Sequence, residues 1–371
     1  MAHRITYKPS GILLSSAIGN VGIQVDGTFV DVTLTATAGR VILSERYYAY
    51  GGYVTLYDLA SLIEAEMRSS AYTYADFTLR VFTDTTANKA DSHTFHILYC
   101  DRFTVCNAVP FFLKENFLTT LSNRRVADGS TLSLFFYAEK GESIAYSIAY
   151  RAYRPDTNGI FNSQFTLDTG KTASSNGVQQ INISTAEILQ RIYSTFAPAT
   201  KDTTIIQSFT VSCGQRAVTC FVDRSLSEKE AFFFKNCFNV YDVAYLPLQT
   251  TAKIDVDRST AVINGSSSFY NQSATKKYEV VAGPLTSDEA EWIDQLFTSY
   301  DVFRIEPNDC DDSDPLILTP VMITDITCEV SDSDEKPNTV KFTWRFCDNR
   351  PIVRFSATRG IFTAQYDLRY S

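Results

Sequence analysis

Two hydrophobic spacings take turns along this chain. In the first third, Phe77, Leu79 and Val81, then Phe95, Ile97 and Tyr99, recur at every second position. Ile205, Phe209 and Val211, then Val218, Cys220 and Val222, do so further on. Side chains on a strand point alternately to opposite faces, so these runs predict half-buried strands, arranged as hairpins. Helical spacing precedes each set. Leu56, Leu59, Leu62, Ile63 and Met67 fall on one helical face, as do Ile188, Leu189, Ile192, Tyr193 and Phe196. The second helix has a capping-box signature at its start, Ser184 with Glu187 three residues on. A glycine turn opens a β-like run before each helix, Gly39 through Tyr50 and Gly141 through Tyr153.

The last third has the same coarse order. Strand-like segments Thr251–Val256 and Lys277–Val281 precede a capping box, Thr286-Ser287-Asp288-Glu289, and a helix with Trp292, Ile293, Leu296 and Phe297 on one face. Strands follow over Val302–Ile305, Leu316–Val330 and Thr339–Phe346. In the last, Val340, Phe342 and Trp344 share one face and Lys341, Thr343 and Arg345 the other.

A short signature also occurs twice. Asp101-Arg102 leads to Phe111-Phe112-Leu113-Lys114-Glu115-Asn116-Phe117, and Asp223-Arg224 to Phe232-Phe233-Phe234-Lys235-Asn236-Cys237-Phe238; from Asp to first Phe is ten residues in one copy and nine in the other. The fold class expected is mainly β, built of α+β modules: tandem β-sandwich-like modules each carrying one helix. The modules are 1–127, 128–239 and a diverged 240–371, with 20–110 and 128–232 expected to superpose. The signature segments are expected to be extended. Adjacent phenylalanines on a strand face opposite ways, so Phe111, Phe112 and Phe117, with Phe232, Phe233 and Phe238, are candidates for a module or subunit junction. Lys114 and Lys235 would keep their charged ends in water. Ordinary core packing within each module is the other reading, and both bury Phe111 and Phe232.

The 371 residues exceed what one core usually organises, which fits two or three domains. No apolar run approaches the roughly 18 residues needed to span a bilayer, so no membrane insertion is expected. Near the start, Arg4 and Lys8 precede Gly11-Ile12-Leu13-Leu14, a faint echo of a secretory signal that Ser15 and Ser16 cut short. With 33 basic and 42 acidic residues the net charge is −9, which opposes a nucleic-acid partner. Arg124-Arg125 is the nearest thing to a basic cluster and reads as a solvated loop.

Catalytic patterns are lacking. His93 and His96, three apart on a strand, point to opposite faces and make poor joint metal ligands. The pairs Cys100/Cys106 and Cys213/Cys220 lack the spacing of structural zinc and read as buried thiols. No phosphate loop, nucleophile elbow or zinc-protease helix is present, so no enzyme activity, cofactor or metal is expected. The acidic loop Asp309-Cys310-Asp311-Asp312-Ser313-Asp314 offers calcium-type oxygens without the turn glycine and distal glutamate of an EF-hand, and whether it binds calcium stays open. Asp332 to Glu335 reads as a turn between strands.

The chain is rich in aromatics, with 21 Tyr and 26 Phe. Tyr47, Tyr48 and Tyr50, with Tyr53 and Tyr57, would suit an exposed site for stacking sugars. The plainer reading is that they are strand formers packed between sheets and subunits.

The run Tyr278-Glu279-Val280 through Ser287–Trp292 to Pro320–Asp325 and Asn338–Phe346, with the repeated Phe-Phe-x-Lys signature, resembles proteins of the tail modules of Bacteroidetes phages and prophages. The likeness is to distal-tail or baseplate-hub components, over the last third and loosely over the repeats. It implies a virion structural protein, assembled in the host cytoplasm, that joins the tail tube to host-binding elements. Its partners would be other tail proteins and itself, in a ring. Two similar modules per chain would let three chains present six and match a sixfold tail tube, and a plain hexamer stays open. A surface or secreted carbohydrate-binding protein is the alternative.

Overall fold

The computed structural model describes residues 3–8, 10–37, 39–82, 91–102, 109–155, 157–167, 170–195, 204–226, 231–307, 316–329 and 337–348. It is mainly β with α+β modules, and four helices lie among the described residues. The chain forms two compact units from interleaved stretches. The first comprises Met1–Asn123, Thr131–Cys220 and Lys235–Tyr241, and the second Arg124–Ser130, Phe221–Phe234 and Asp242–Ser371.

The first unit begins with β1 (His3–Tyr7), β2 (Ile12–Leu14), β3 (Val21–Val25), β4 (Phe29–Ala36), β5 (Val41–Tyr48), β6 (Tyr53–Leu56), α1 (Leu59–Ser69), β7 (Tyr74–Phe82) and β8 (Asp91–Leu98). These make a three-stranded sheet, β1-β3-β6, and a five-stranded sheet, β2-β8-β7-β4-β5. Alternation drives the packing. Val30, Val32 and Leu34 of β4 turn inward with Phe77, Leu79 and Val81 of β7, while Leu59, Ile63 and Met67 bring α1 onto the same core. Phe77 lies directly opposite Phe95, with ring centroids 6.2 Å apart. Leu56 ends β6 rather than opening the helix, and Leu62 is exposed, so the helical face is narrower than the spacing predicted.

After α2 (Val109–Glu115) and β9 (Asn123–Ala127) the pattern recurs: β10 (Thr131–Ala138), β11 (Tyr146–Arg154), β12 (Gly159–Leu167), β13 (Gly177–Ser184), α3 (Thr185–Thr195), β14 (Ile205–Cys213) and β15 (Arg216–Asp223). β10 pairs with β13 as β3 pairs with β6, and the order β12-β11-β14-β15 matches β5-β4-β7-β8. Both helices connect equivalent strands, so the duplication is one of topology. The run after Gly141 is β11, the counterpart of β4, whereas the run after Gly39 is β5. Sequence spacing thus matched the wrong strand of each hairpin, because either arm of a hairpin carries the same alternation. Phe196 lies outside the described residues.

The second unit holds β16 (Phe232–Lys235), β17 (Tyr241–Ala244), β18 (Leu248–Ile263), β19 (Ser266–Leu285), α4 (Ser287–Thr298), β20 (Val302–Pro307), β21 (Leu316–Glu329) and β22 (Asn338–Phe346). The strands form one seven-stranded sheet in the order β17-β16-β20-β21-β22-β19-β18. Val340, Phe342 and Trp344 are buried, as the alternation of β22 predicts. Thr286 Oγ1 accepts from Glu289 N at 3.2 Å and the Glu289 carboxylate accepts from Thr286 N at 2.9 Å, the predicted capping box. The acidic stretches 309–314 and 332–335 lie outside the described residues.

Candidate functional site

The two signature copies take different backbones. Val109–Glu115 is a helix, not the extended segment expected. Pro110 explains it: in the first helical turn its fixed φ is favourable and its missing N–H is not needed. Val109 and Leu113, four apart, point into the core, and Phe111 is rotated away to 60 % exposure. The expected burial of Phe111 is therefore overturned. Phe112 stacks on Phe238 with centroids 5.7 Å apart, and the buried Phe117 meets Phe136 edge-on at 6.0 Å. Lys114 sits in the last helical turn, where a cation favours the exposed carbonyls.

In the second copy, Phe232-Phe233-Phe234-Lys235 is the strand β16. Phe232 is buried and meets Phe342 and Trp344 edge-on at 5.6 and 6.1 Å, with the Arg304 guanidinium 4.8 Å from its ring centroid. Phe233 faces the other way and lies opposite Phe303 of β20. In the first unit, Lys235 Nζ lies 5.5 Å over the Tyr241 ring and Asn236 Nδ2 donates to Leu118 O at 2.9 Å. Phe112 and Phe238 thus join one cluster with Leu14, Leu98, Tyr137 and Val240, between strands of the two repeated modules. Phe232 and Phe233 belong to the second unit's sheet instead.

Several charged groups around these segments carry structure. Arg216 is buried and its guanidinium donates to Leu113 O at 2.9 Å, Tyr137 O at 2.8 Å and Glu142 Oε1 at 3.0 Å, which ties α2 to β10. Nothing in the sequence pattern singles it out, since it sits at an ordinary strand start after a Cys-Gly turn. Burial pushes the Asp101 carboxyl above the usual Asp range, against the pull of Arg102 and Arg68. Cys100 and Cys237 are hydrogen-bonded to each other, and that contact with burial pushes the Cys237 thiol well up. In the second unit, Arg124 is buried against Asp242 and Arg125 pairs with Glu289 at 3.0 Å. The pair Arg124-Arg125 is therefore not a solvated loop: it lies in β9, where two acidic partners distant in sequence neutralise it.

A largely exposed feature of the second unit is the β18–β19 ribbon. Its strands are 16 and 20 residues long and pair from Leu248↔Ala282 to Ile263↔Ser266 around an Asn264-Gly265 turn. β19 contacts β22 only from Tyr278 onward. Beyond that point, among the described residues, the ribbon has two strands, with both faces largely exposed. Lys277 pairs with Asp255 at 2.9 Å, and Ile254, Val256, Val262, Phe269 and Tyr270 are all exposed. The sequence reading missed residues 257–276, whose signal was the Asn-Gly dipeptide between two Ser/Thr-rich runs.

His93 and His96 lie on opposite faces of β8, His93 stacked with Phe95 and His96 hydrogen-bonded to Asp76 at 2.6 Å. Among the described residues, no group of three or more His, Cys, Asp or Glu is placed to hold a metal ion. None of the described helices is long and apolar enough to cross a membrane. A shallow depression of about 520 Å³ on β11, β12 and β14 is lined by polar side chains including Arg151, Asn162 and Gln164. Tyr48, Tyr50, Tyr53 and Tyr57 are exposed rather than packed between the chain's own sheets.

No protein-family model matches this chain, and no curated protein matches it. Among solved structures, the calcium binding domain CBD12 of CALX1.1 is 12% identical, covering 57% of this chain and 78% of that one at a TM-score of 0.18. A trypsin-activated alpha-2-macroglobulin from Escherichia coli is 9% identical, covering 77% and 22% at 0.20. The I9-I11 tandem from titin is 12% identical, covering 76% and 95% at 0.18. Likenesses at these TM-scores carry no argument about function.

Proposed function

We infer that this chain is a structural protein of a phage tail tip or baseplate, one that forms a symmetric ring and links the tail tube to host-binding components. The observation that supports the reading is the β18–β19 ribbon. A two-stranded ribbon is at best marginally stable alone in water, and bare strand edges invite pairing with another chain. On one face it carries Ile254 and Val256, exposed apolar groups beside the half-buried Ala274, which a neighbouring subunit would cover. An arm that reaches onto the next copy makes a head-to-tail contact, and such contacts close into rings when the rotation closes. The duplicated modules suit the same role, as a repeated scaffold rather than a single catalytic pocket.

The test replaces residues 256–274 with Asn-Gly, which restores a two-residue hairpin turn after Asp255. The full chain is expected to give closed rings of three or six copies in electron micrographs and light scattering. The shortened chain is expected to stay folded and run as a monomer. Rings unchanged by the shortening, or a full chain that stays single at all concentrations, would overturn the reading.

A further inference from the structure

Cys100 and Cys237 lie 137 positions apart in sequence and meet in one buried cluster of the first unit. Both carry thiols in this structure. Cys100 follows the end of β8 by two residues, and Cys237 sits in Lys235–Tyr241, the short stretch by which the chain returns to the first unit. Their backbones are tied together where they meet: Asp101 N donates to Cys237 O at 3.2 Å. Each is also held from its own side. Ser15 Oγ donates to Cys100 O and accepts from Cys100 N, both at 2.9 Å. Asn236 N donates to Val240 O at 2.9 Å and Asn236 Oδ1 accepts from Phe238 N at 2.9 Å, which closes a turn around Cys237.

The two sulfurs have a defined order. The Cys237 thiol donates to Cys100 Sγ, and the Cys100 thiol donates onward to Arg102 O at 3.6 Å. The contact draws Cys100 below the usual cysteine range and, with burial, raises Cys237. A thiolate therefore forms first on Cys100, and the thiolate is the form that attacks. Arg102 is half-exposed, so the chain reaches solvent two residues past that sulfur.

We propose that Cys100 and Cys237 form a redox lock, open as two thiols in a reducing compartment and closed as a disulfide once the chain leaves it. Sulfurs in hydrogen-bond contact, on backbones already joined, need little movement to reach the short separation of a disulfide. In the closing reaction the Cys100 thiolate attacks one sulfur of a small-molecule disulfide of the glutathione class and expels the other as a thiol. The Cys237 sulfur then attacks Cys100 Sγ in that mixed disulfide and expels the second thiol. Two protein thiols are oxidised, one small disulfide is reduced to two thiols, and the two protein protons end on them. The new bond would enclose β10 through β15 in one covalent loop and fix the returning stretch to the end of β8. Closing so long a loop removes much of the freedom of the unfolded chain. A reducing cytosol keeps such a pair open, so folding proceeds without it and the lock is set afterwards. The inference does not depend on the tail-tip reading, because any protein that leaves the cytosol gains from the same bond.

The experiment holds the full chain in excess oxidised glutathione, or in dithiothreitol, then maps its cysteines by alkylation, proteolysis and mass spectrometry. The oxidised chain is expected to yield one cross-linked peptide pair joining Cys100 to Cys237, lighter by two hydrogens than the two thiols. Its melting midpoint should rise by about 5–10 °C, and dithiothreitol should reverse both changes. The exposed Cys347 serves as the control that the reagent is active. Cys100→Ser and Cys237→Ser should each abolish the cross-link and the shift while melting near the reduced native chain. Should either variant fail to fold, the map of the native chain decides alone. Recovery of both cysteines as thiols while Cys347 is modified would overturn the proposal, and so would a glutathione adduct on Cys100 that Cys237 never displaces. A cross-link that leaves the melting midpoint unchanged or lower would overturn it as a lock.

Discussion

Arg124 and Asp242, 118 positions apart in sequence, form a two-point ion pair with Nη1–Oδ1 at 2.8 Å and Nη2–Oδ2 at 3.1 Å. Both side chains are buried. Removing one partner strands the other's charge in a low-dielectric interior, which costs about 3–5 kcal/mol. Asp242→Ala is expected to lower the unfolding free energy of the second unit by that amount, read from its denaturant midpoint. Arg124→Met with Asp242→Leu should cost far less, and a double variant as unstable as the single one would contradict the account.

Arg216 is expected to be as sensitive for a different reason. Its substitution by leucine leaves the carbonyls of Leu113 and Tyr137 without this donor, at about 1–3 kcal/mol for each group left unsatisfied. Arg216→Lys should recover only part, because one ammonium group does not reproduce the fork that spans both carbonyls. Urea unfolding followed by a probe in the first unit measures it.

The two phenylalanines at the head of the first signature should separate cleanly. Phe111→Ser is expected to change stability by no more than about 0.5 kcal/mol, since the ring is exposed. Phe112→Ala should lose its own burial and its stacking with Phe238. A double-mutant cycle with Phe238→Ala should return a coupling of about 0.5–1.5 kcal/mol. A coupling near zero would show that the two rings only share space.

The pH dependence carries a sign. The folded pKa of Asp101 lies above its unfolded value, chiefly through burial, and burial likewise raises Glu64. Folded chains therefore hold these protons longer. The stability from these groups is full below the unfolded values, about pH 4, and is lost as pH rises through the folded ones. Asp101→Asn is expected to stabilise the chain at neutral pH and to flatten its loss of stability above about pH 4. Thermal melts at several pH values check both, and a destabilised neutral-pH variant would refute the sign.

Much of this architecture was legible in particular residues. The Thr286–Glu289 capping box, the alternation of β22 and the inward stripe Leu59, Ile63 and Met67 each announce their element. The repeated topology was visible too, though one strand out of step. What the sequence hid depends on partners far away in the chain. Arg124 looks solvated until Asp242 arrives, and the Phe-Phe-x-Lys signature is helix after Pro110 but strand beside β20. The ribbon was hidden for the opposite reason: with water on both faces it has no inward side, and so no hydrophobic alternation to read.

That same ribbon has a built-in gradient of protection. Its strands close on a local Asn-Gly turn, so the ladder forms without waiting for distant parts of the chain. Near Tyr278 the hydrogen bonds share a sheet with β22, while toward Gly265 each rests on one partner strand and water. Amide exchange should therefore quicken steadily from base to tip in a free chain. A neighbour seated on the arm would erase that slope, so the exchange profile of one strand reports on occupancy without any label on the partner.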